Sequence, residues 1–408
     1  MDTNYGEYLK KFVGRETELG IFNDILDNPL REKRSLYIQA IGGQGKTWLI
    51  KKMLQNTLEN NDILSLEPDN LIDMYSTSNR YLEGVLVTLE QRFRSMSVDM
   101  RVFDQYYTVK NELDKAREQE GYSGEGITNM TANLARVFRN CLQTLAEKQT
   151  IVLAFDTFEN VANSEVSDWI LSNDGLQMPN VVCLIGTRAG LNEEQRTIYS
   201  SIQEVHLLGL SDEDAIKLYL SYVNESQSSK EDFIRVLNQK STQNPLMLGL
   251  AIYYLDLPSN TAEALEKLSH DEFEKEVVSW FLPQNDPGPV TIGGVEFNDQ
   301  MRQTLILMAY LNRRFNKFFL QKLADSGYLH LGDATVDELW GELDRKKPDL
   351  FFVKERPNGE IQLHDKLAEL LRKHVLVKAF QDVSGKRLQQ FVDEVVNWYD
   401  ELIKIHSV

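Results

Sequence analysis

The sequence predicts an α/β fold: a three-layer, parallel-sheet P-loop domain over residues 1–210, a helical lid domain over 211–282, a winged-helix domain over 283–380 and a C-terminal helix over 381–408. Three observations carry this. Short apolar runs alternate with helical patterns through the first half, as in a parallel sheet covered by helices. The run SLYIQAIGGQGKT (Ser35 to Thr47) passes from an apolar strand through a glycine-rich turn straight into an amphipathic helix, WLIKKMLQNTL. After Ser211 strand signals vanish and helical periodicity takes over, until two strand-like arms flank Asn358-Gly359 near the end.

Each element follows in order. The first strand spans Leu36 to Ile41. Further strands are predicted at LIDMY (Leu71 to Tyr75), TIVLAF (Thr150 to Phe155), VVCLI (Val181 to Ile185) and EVHLL (Glu204 to Leu208). TIVLAF is apolar nearly throughout, as a central strand covered on both faces requires. Tyr81 to Lys148 reads as two or three helices around GYSGEG (Gly121 to Gly126). That stretch is expected to be a loop and not a second phosphate site, because no strand precedes it. SDEDAIKLYLSYV opens with a polar cap and continues as a helix, followed by the helices DFIRVLNQK and PLMLGLAIYYL. The Pro/Gly-rich LPQNDPGPVTIGG (Leu282 to Gly294) reads as a linker. Beyond it MRQTLILMAYLNRR, NKFFLQKLAD and TVDELWGELDRK are helical, and LFFVKERPNGEIQLHD forms a hairpin around its Asn-Gly turn. Three helices and a hairpin describe a winged helix. GKRLQQFVDEVVNWYDELIKIHS is one long amphipathic helix, and no internal repeat is evident.

Composition limits the partners. The chain has 408 residues, 42% hydrophobic and 26% charged, with a formal charge of −18. An acidic balance argues against nucleic acid, whose affinity comes largely from phosphate neutralisation by Lys and Arg. The helix TVDELWGELDRK carries Asp337, Glu338, Glu342 and Asp344, with Asp333 nearby, which makes it a poor DNA-reading helix. No apolar run approaches the roughly 20 residues that span a bilayer, and the N-terminus has no signal-peptide pattern. Cys141 and Cys183 are expected to be reduced, buried thiols. A cytoplasmic protein is the expectation.

The turn Gly42-Gly43-Gln44-Gly45, closing on Lys46-Thr47, has the composition and context of a phosphate-binding loop. Glycine lacks a Cβ, so backbone N–H groups can wrap an anion there, and the following helix aims its positive end at the same place. Lys46 supplies a point charge for β- and γ-phosphates, and the Thr47 hydroxyl is a ligand for Mg²⁺. Trp48 follows and is counted with the nucleotide-contacting residues. ATP or ADP with Mg²⁺ is the expected cofactor. Ala40 stands where the first glycine of the pattern belongs.

Asp156 ends the TIVLAF strand. A carboxylate at the C-terminal edge of a parallel sheet, beside such a loop, can hold Mg²⁺ through its water shell. Hydrolysis also needs a base or water-positioning group. The residue after Asp156 is Thr157, so Glu159 is the nearest carboxylate available. Arg188 follows the VVCLI strand, where a guanidinium can reach a γ-phosphate through a charge-assisted bond. Lys46, Asp156, Glu159 and Arg188 are the catalytic candidates, and Thr47 and Asp156 the metal set.

These motifs fall in an order that resembles the STAND class of AAA+-related ATPases, which includes the NB-ARC switch modules. FVGRETEL (Phe12 to Leu19) is similar to its opening motif, GGQGKT to its phosphate loop, DTFE to its Walker B motif and GTR (Gly186 to Arg188) to its sensor arginine. GLSDEDA and QNPLMLGL (Gln243 to Leu250) resemble its helical-domain motifs, and LHD (Leu363 to Asp365) its "MHD" motif. The resemblance implies that Val13 and Arg15 lie near the adenine and ribose, that Pro245 packs on the base, and that His364 touches the β-phosphate of ADP. It implies a signalling switch: ADP holds the domains compact, and exchange for ATP releases them and lets copies assemble into a homo-oligomer. Effector and sensor functions are then expected from parts of a longer protein or from partners. Ala40 and Thr157 depart from the family pattern and point to slow turnover. An initiator-type AAA+ ATPase acting on DNA through the winged helix, and a housekeeping ATPase or kinase, are the alternatives.

Overall fold

The computed structural model describes residues 9, 11–28, 32–118, 124–222, 231–255, 262–279, 281, 290–292, 295–311, 315–346, 352–355 and 359–376. The chain divides into two compact units, Met1–Leu208 and Gly209–Val408.

In the first unit, helix α1 (Glu16–Asp27) precedes strand β1 (Ser35–Gln39), and α2 (Lys46–Thr57) follows the glycine-rich turn. Strands β2 (Ile63–Ser65) and β3 (Ile72–Asp73) come next. Helices α3 (Leu82–Ser95), α4 (Asp104–Glu118) and α5 (Gly124–Ala146) lead to β4 (Thr150–Asp156). After α6 (Glu165–Leu171) come β5 (Val181–Thr187), α7 (Glu193–Ile198) and β6 (Ile202–His206). The strands form one six-stranded sheet in the order β2-β4-β5-β1-β6, with β3 also paired to β4. All its pairings are parallel.

The packing explains the order. β4 and β5 sit in the middle, and every residue of β5 is buried, so these strands read as continuous apolar runs. Burial pushes the Cys183 thiol in β5 up to about 12, as befits an inert core residue. β2 pairs with the start of β4 and β3 with its end, so two short strands share one edge. On the helical layer Phe138 of α5 packs against Phe103, Tyr106 and Trp169. The loop after β1 is anchored to its neighbours at the carboxyl ends of the strands. Ala40 N–H donates to Thr187 O at 3.1 Å, and Leu207 N–H donates to Gln39 O at 2.9 Å.

The second unit is mostly helical: α8 (Asp212–Tyr222), α9 (Glu231–Lys240), α10 (Pro245–Leu255), α11 (Ala262–Glu266) and α12 (His270–Ser279). An antiparallel ribbon follows, β7 (Val290–Ile292) with β8 (Val295–Phe297). Helices α13 (Asp299–Leu311), α14 (Lys317–Asp325) and α15 (Val336–Lys346) precede a hairpin of β9 (Val353–Glu355) and β10 (Ile361–Leu363). Helix α16 (Asp365–Leu371) continues into a π-helical turn at Arg372–Leu376. Three helices and an antiparallel hairpin are the element order of a winged helix.

Several sequence expectations shift. β2 was not foreseen, because a three-residue strand is too short to show periodicity and forms only by pairing with β4. LIDMY shrinks to Ile72–Asp73, because Tyr75 N–H turns back onto the Asp73 carboxylate at 3.0 Å and ends the strand. The last strand lies two residues earlier than EVHLL. Gly124 to Gly126, expected in a loop, form the first turn of α5, and residues 121–123 lie outside the described residues. The expected linker contains β7, whose partner β8 lies just beyond. The boundary placed at residue 282, Asn358 of the hairpin turn and the C-terminal helix from residue 381 also lie outside the described residues.

Candidate functional site

At the carboxyl ends of the central strands the structure gathers several of the expected residues. Gly43 and Gly45 both take left-handed backbone, φ 86° and 87°, which the tight turn requires. A Cβ added at Gly45 would meet nothing within 4 Å, so that face of the loop is open. Gly45 O accepts the first helical bond of α2, from Leu49 N–H at 2.9 Å. Gly42 and Trp48 are half-buried on either side of the turn, and Gln44 is buried within it. The Lys46 ammonium donates to Ala40 O at 2.6 Å and Ile41 O at 3.1 Å, which holds it over the start of the loop.

The central contact joins α2 to β4. Thr47 Oγ1 donates to Asp156 Oδ2 at 2.6 Å, although the two residues are 109 positions apart. β5 lies between β1 and β4, so this bond reaches across one intervening strand. It is possible because Gly186 of β5 has no side chain. A Cβ there would stand 2.7 Å from Asp156 Oδ1 and 2.8 Å from Ile50 Cδ1. A hydroxyl and a carboxylate side by side are hard oxygen donors, the set Mg²⁺ prefers. These residues fit the ion.

Glu159 and Arg188 meet each other. Glu159 Oε1 lies 3.3 Å from Arg188 Nε, and Glu159 Oε2 accepts from the Arg188 backbone N–H at 3.1 Å. The sequence proposed them for separate tasks, and the structure makes them a pair. Thr157 takes left-handed backbone, φ 58° and ψ 36°, and its hydroxyl donates to Asp73 Oδ1 at 2.6 Å. Asp73 was not among the candidates, since nothing in LIDMY marks it. Only the parallel register, which sets Asp73 opposite Asp156, reveals it.

Arg15 also takes left-handed backbone, φ 70°, directly after Gly14 at φ 70°. Its guanidinium donates to Gln44 O at 3.2 Å and to Leu208 O at 2.8 Å, and lies 3.4 Å from Glu18 Oε1. The residue therefore ties the opening segment to the phosphate loop and to the chain after β6. Val13, half-buried, precedes this turn. Pro245 and His364 belong to the second unit. Pro245 begins α10, which Asn244 caps by accepting from Leu246 N–H at 3.1 Å and Met247 N–H at 3.2 Å. His364 caps α16: its Nδ1 accepts from Lys366 N–H at 3.2 Å, and its own N–H donates to Phe352 O at 2.8 Å. An accepting Nδ1 assigns the ring proton to Nε2.

No family model matches the chain, and no curated protein matches it. Solved structures do. A STAND protein with a tetratricopeptide repeat sensor from Pyrococcus horikoshii is 15% identical with a TM-score of 0.48; the match covers 89% of this chain and 42% of that one. The ORC2 protein of Aeropyrum pernix, solved with ADPNP and ADP, is 14% identical with a TM-score of 0.38, covering 89% and 94% of the two chains. A RuvB variant from Thermotoga maritima is 12% identical with a TM-score of 0.33, covering 90% and 97%. The chain thus spans less than half the length of the Pyrococcus protein. At these identities and scores the fold assignment rests on the chain's own strand order and loop. The first unit is a three-layer, parallel-sheet P-loop NTPase fold.

Proposed function

We propose that this chain is a nucleotide-dependent signalling switch, binding ATP or ADP with Mg²⁺ and hydrolysing ATP slowly. The observation that carries the reading is the 2.6 Å bond between Thr47 Oγ1 and Asp156 Oδ2, beside an open glycine turn at a helix N-terminus. Thr47 would hold the cation directly and Asp156 through its water shell. When bound, the cation neutralises charge on the β- and γ-phosphates. Lys46 would move from the Ala40 and Ile41 carbonyls to the phosphates, a short swing of a flexible side chain.

The switch part of the reading rests on the ordered motifs from Phe12 to Asp365. Arg188 would sense the γ-phosphate, and Glu159 would hold that guanidinium in place until then. By the resemblance, Val13, Arg15 and Pro245 serve the base and ribose, and His364, with its proton on Nε2, favours ADP. Only differential affinity for the two nucleotides can move such an equilibrium. The ATP form would assemble as a homo-oligomer, in the cytoplasm, with effector or sensor partners. Asp333, Asp337, Glu338 and Asp344 are exposed on and beside α15, which speaks against DNA as the partner.

The test is a titration with fluorescent ADP and ATP, with Mg²⁺ and with EDTA. Thr47→Ala and Asp156→Asn should each abolish most of the Mg²⁺ dependence, and Lys46→Ala should weaken binding about 10- to 100-fold, as expected for loss of a charged hydrogen bond. Unchanged Mg²⁺-dependent binding in all three variants would exclude this site. Salt-sensitive binding to duplex DNA would favour the initiator reading.

A further inference from the structure

Glu159 is the carboxylate nearest Asp156 along the chain, yet both of its oxygens face Arg188. The carboxylate beside Asp156 in space is Asp73. β3 and β4 pair in parallel with Asp73 opposite Asp156, one strand spacing (about 5 Å) apart. Met74 N–H donates to Asp156 O at 2.9 Å and fixes that register at the strand ends. Thr157 joins the two strands through its hydroxyl, which donates to Asp73 Oδ1 at 2.6 Å. Left-handed backbone is costly for a β-branched residue, so φ 58° at Thr157 is strain kept in place by its surroundings. Those surroundings are built. Tyr75 N–H donates to Asp73 Oδ1 at 3.0 Å, Asn79 Nδ2 donates to Asp73 O at 2.9 Å, and Thr88 Oγ1 donates to Asn79 Oδ1 at 2.7 Å. Asn79 is buried. This support fixes both the backbone and the carboxylate of Asp73.

We propose that Asp73, acting through Thr157, positions and deprotonates the hydrolytic water, in place of an acidic residue directly after Asp156. The proposal rests on the reading above, that ATP and Mg²⁺ bind at Thr47 and Asp156. Because Thr157 gives its proton to Asp73, its Oγ1 presents lone pairs and accepts a proton from water. The water oxygen bonds to the γ-phosphorus of ATP, and the bond from that phosphorus to the β,γ-bridging oxygen breaks. ADP leaves with that electron pair. As the water proton passes to Thr157 Oγ1, the threonine proton passes to Asp73 Oδ1, and from there returns to solvent. Thr157 is the group that touches the water, and Asp73 is a positioning residue and proton acceptor behind it. Glu159 keeps its place on Arg188.

The experiment uses the full chain and four variants: Asp73→Asn, Thr157→Val, Thr157→Ser and Glu159→Gln. Affinity for fluorescent ATP with Mg²⁺ is measured apart from single-turnover hydrolysis, and the nucleotide left on the protein is identified. Asp73→Asn, Thr157→Val and Thr157→Ser should bind ATP like the wild type. Asp73→Asn and Thr157→Val should slow the single turnover about 100-fold, the scale of a lost general base, and retain ATP where the wild type holds ADP. Thr157→Ser keeps the hydroxyl and should restore most of the rate. Asp73→Asn turning over at the wild-type rate, or Glu159→Gln losing more than Asp73→Asn, would overturn the proposal. So would equal rates in Thr157→Ser and Thr157→Val, the comparison that decides should Asp73→Asn not fold. Wild type that binds ATP and never hydrolyses it defeats this inference alone. Wild type that binds no nucleotide defeats the parent reading and this one together.

Discussion

Gly186 has no side chain because the Asp156 carboxylate and Ile50 occupy the space a Cβ would need, at 2.7 and 2.8 Å. Adding that methyl forces one of them to move. Ile50 is fully buried and Asp156 is anchored to Thr47, so neither moves without cost. Gly186→Ala should therefore destabilise the first unit by about 1–3 kcal/mol, the usual range for overpacking. It should also weaken Mg²⁺-dependent nucleotide binding more than binding in EDTA. Urea unfolding and paired titrations measure the two effects; a variant with wild-type Mg²⁺ dependence would show that Asp156 does not need its present seat. Asp73 gives a different lesson. Its neighbours in sequence are those of an ordinary short strand, and it becomes a candidate only through pairing with β4. Residues contributed by long-range register are invisible to local pattern reading.

At the level of elements, one cluster in the second unit links α12 to α16 and the π-helical turn after it. The buried Glu274 of α12 accepts from Lys373 Nζ at 2.8 Å and contacts His374 Nε2 at 3.3 Å. His270 Nε2 lies at 3.4 Å and Lys366 Nζ at 3.7 Å. Burial pushes the Glu274 carboxyl up, but the bonds from Lys373 and His374 and the nearby Lys366 charge outweigh it and leave it below its ordinary value. A carboxyl depressed on folding stabilises above its unfolded pKa, and that stability is lost as pH falls through the folded value. The second unit should accordingly lose stability below pH of about 4.5, where carboxylates protonate. Glu274→Gln should cost about 3 kcal/mol near neutrality, as for a broken buried ion pair, and flatten the acid slope. Urea midpoints between neutrality and acid pH check this; an unchanged slope in the variant would place the acid sensitivity elsewhere. The long strands β4 and β5 were legible because strands buried on both faces are apolar throughout. The helix after the phosphate loop, the helices between residues 81 and 148, and α8, α9, α10, α13, α14 and α15 were legible from periodicity; α11, α12 and α16 were not read. β2, β3 and the β7–β8 ribbon were not, since strands of two or three residues exist only through their partners. The phosphate loop was legible because its glycines, lysine and threonine are contiguous. The Glu159–Arg188 pair was not, because it is made by two loops meeting at one sheet edge.

For the whole molecule, the proposed function is that of a P-loop fold with slow chemistry keeping a nucleotide as a signal. On that reading hydrolysis is slow because Thr157 follows Asp156 and Glu159 is paired with Arg188. If the proposed switch holds, His364→Ala should leave the fold intact and shorten the residence of ADP, because the ring would then contact ADP besides capping α16. Loss of the cap alone would cost about 1 kcal/mol of helix stability without touching ADP release, so the two roles separate by comparing unfolding with release kinetics. The most direct test of the central claim is the nucleotide carried by the freshly purified chain, released by denaturation and identified by mass. The account predicts stoichiometric ADP, retained through purification and lost in Lys46→Ala. An empty site, with no binding of ATP or ADP in the presence of Mg²⁺, would contradict it.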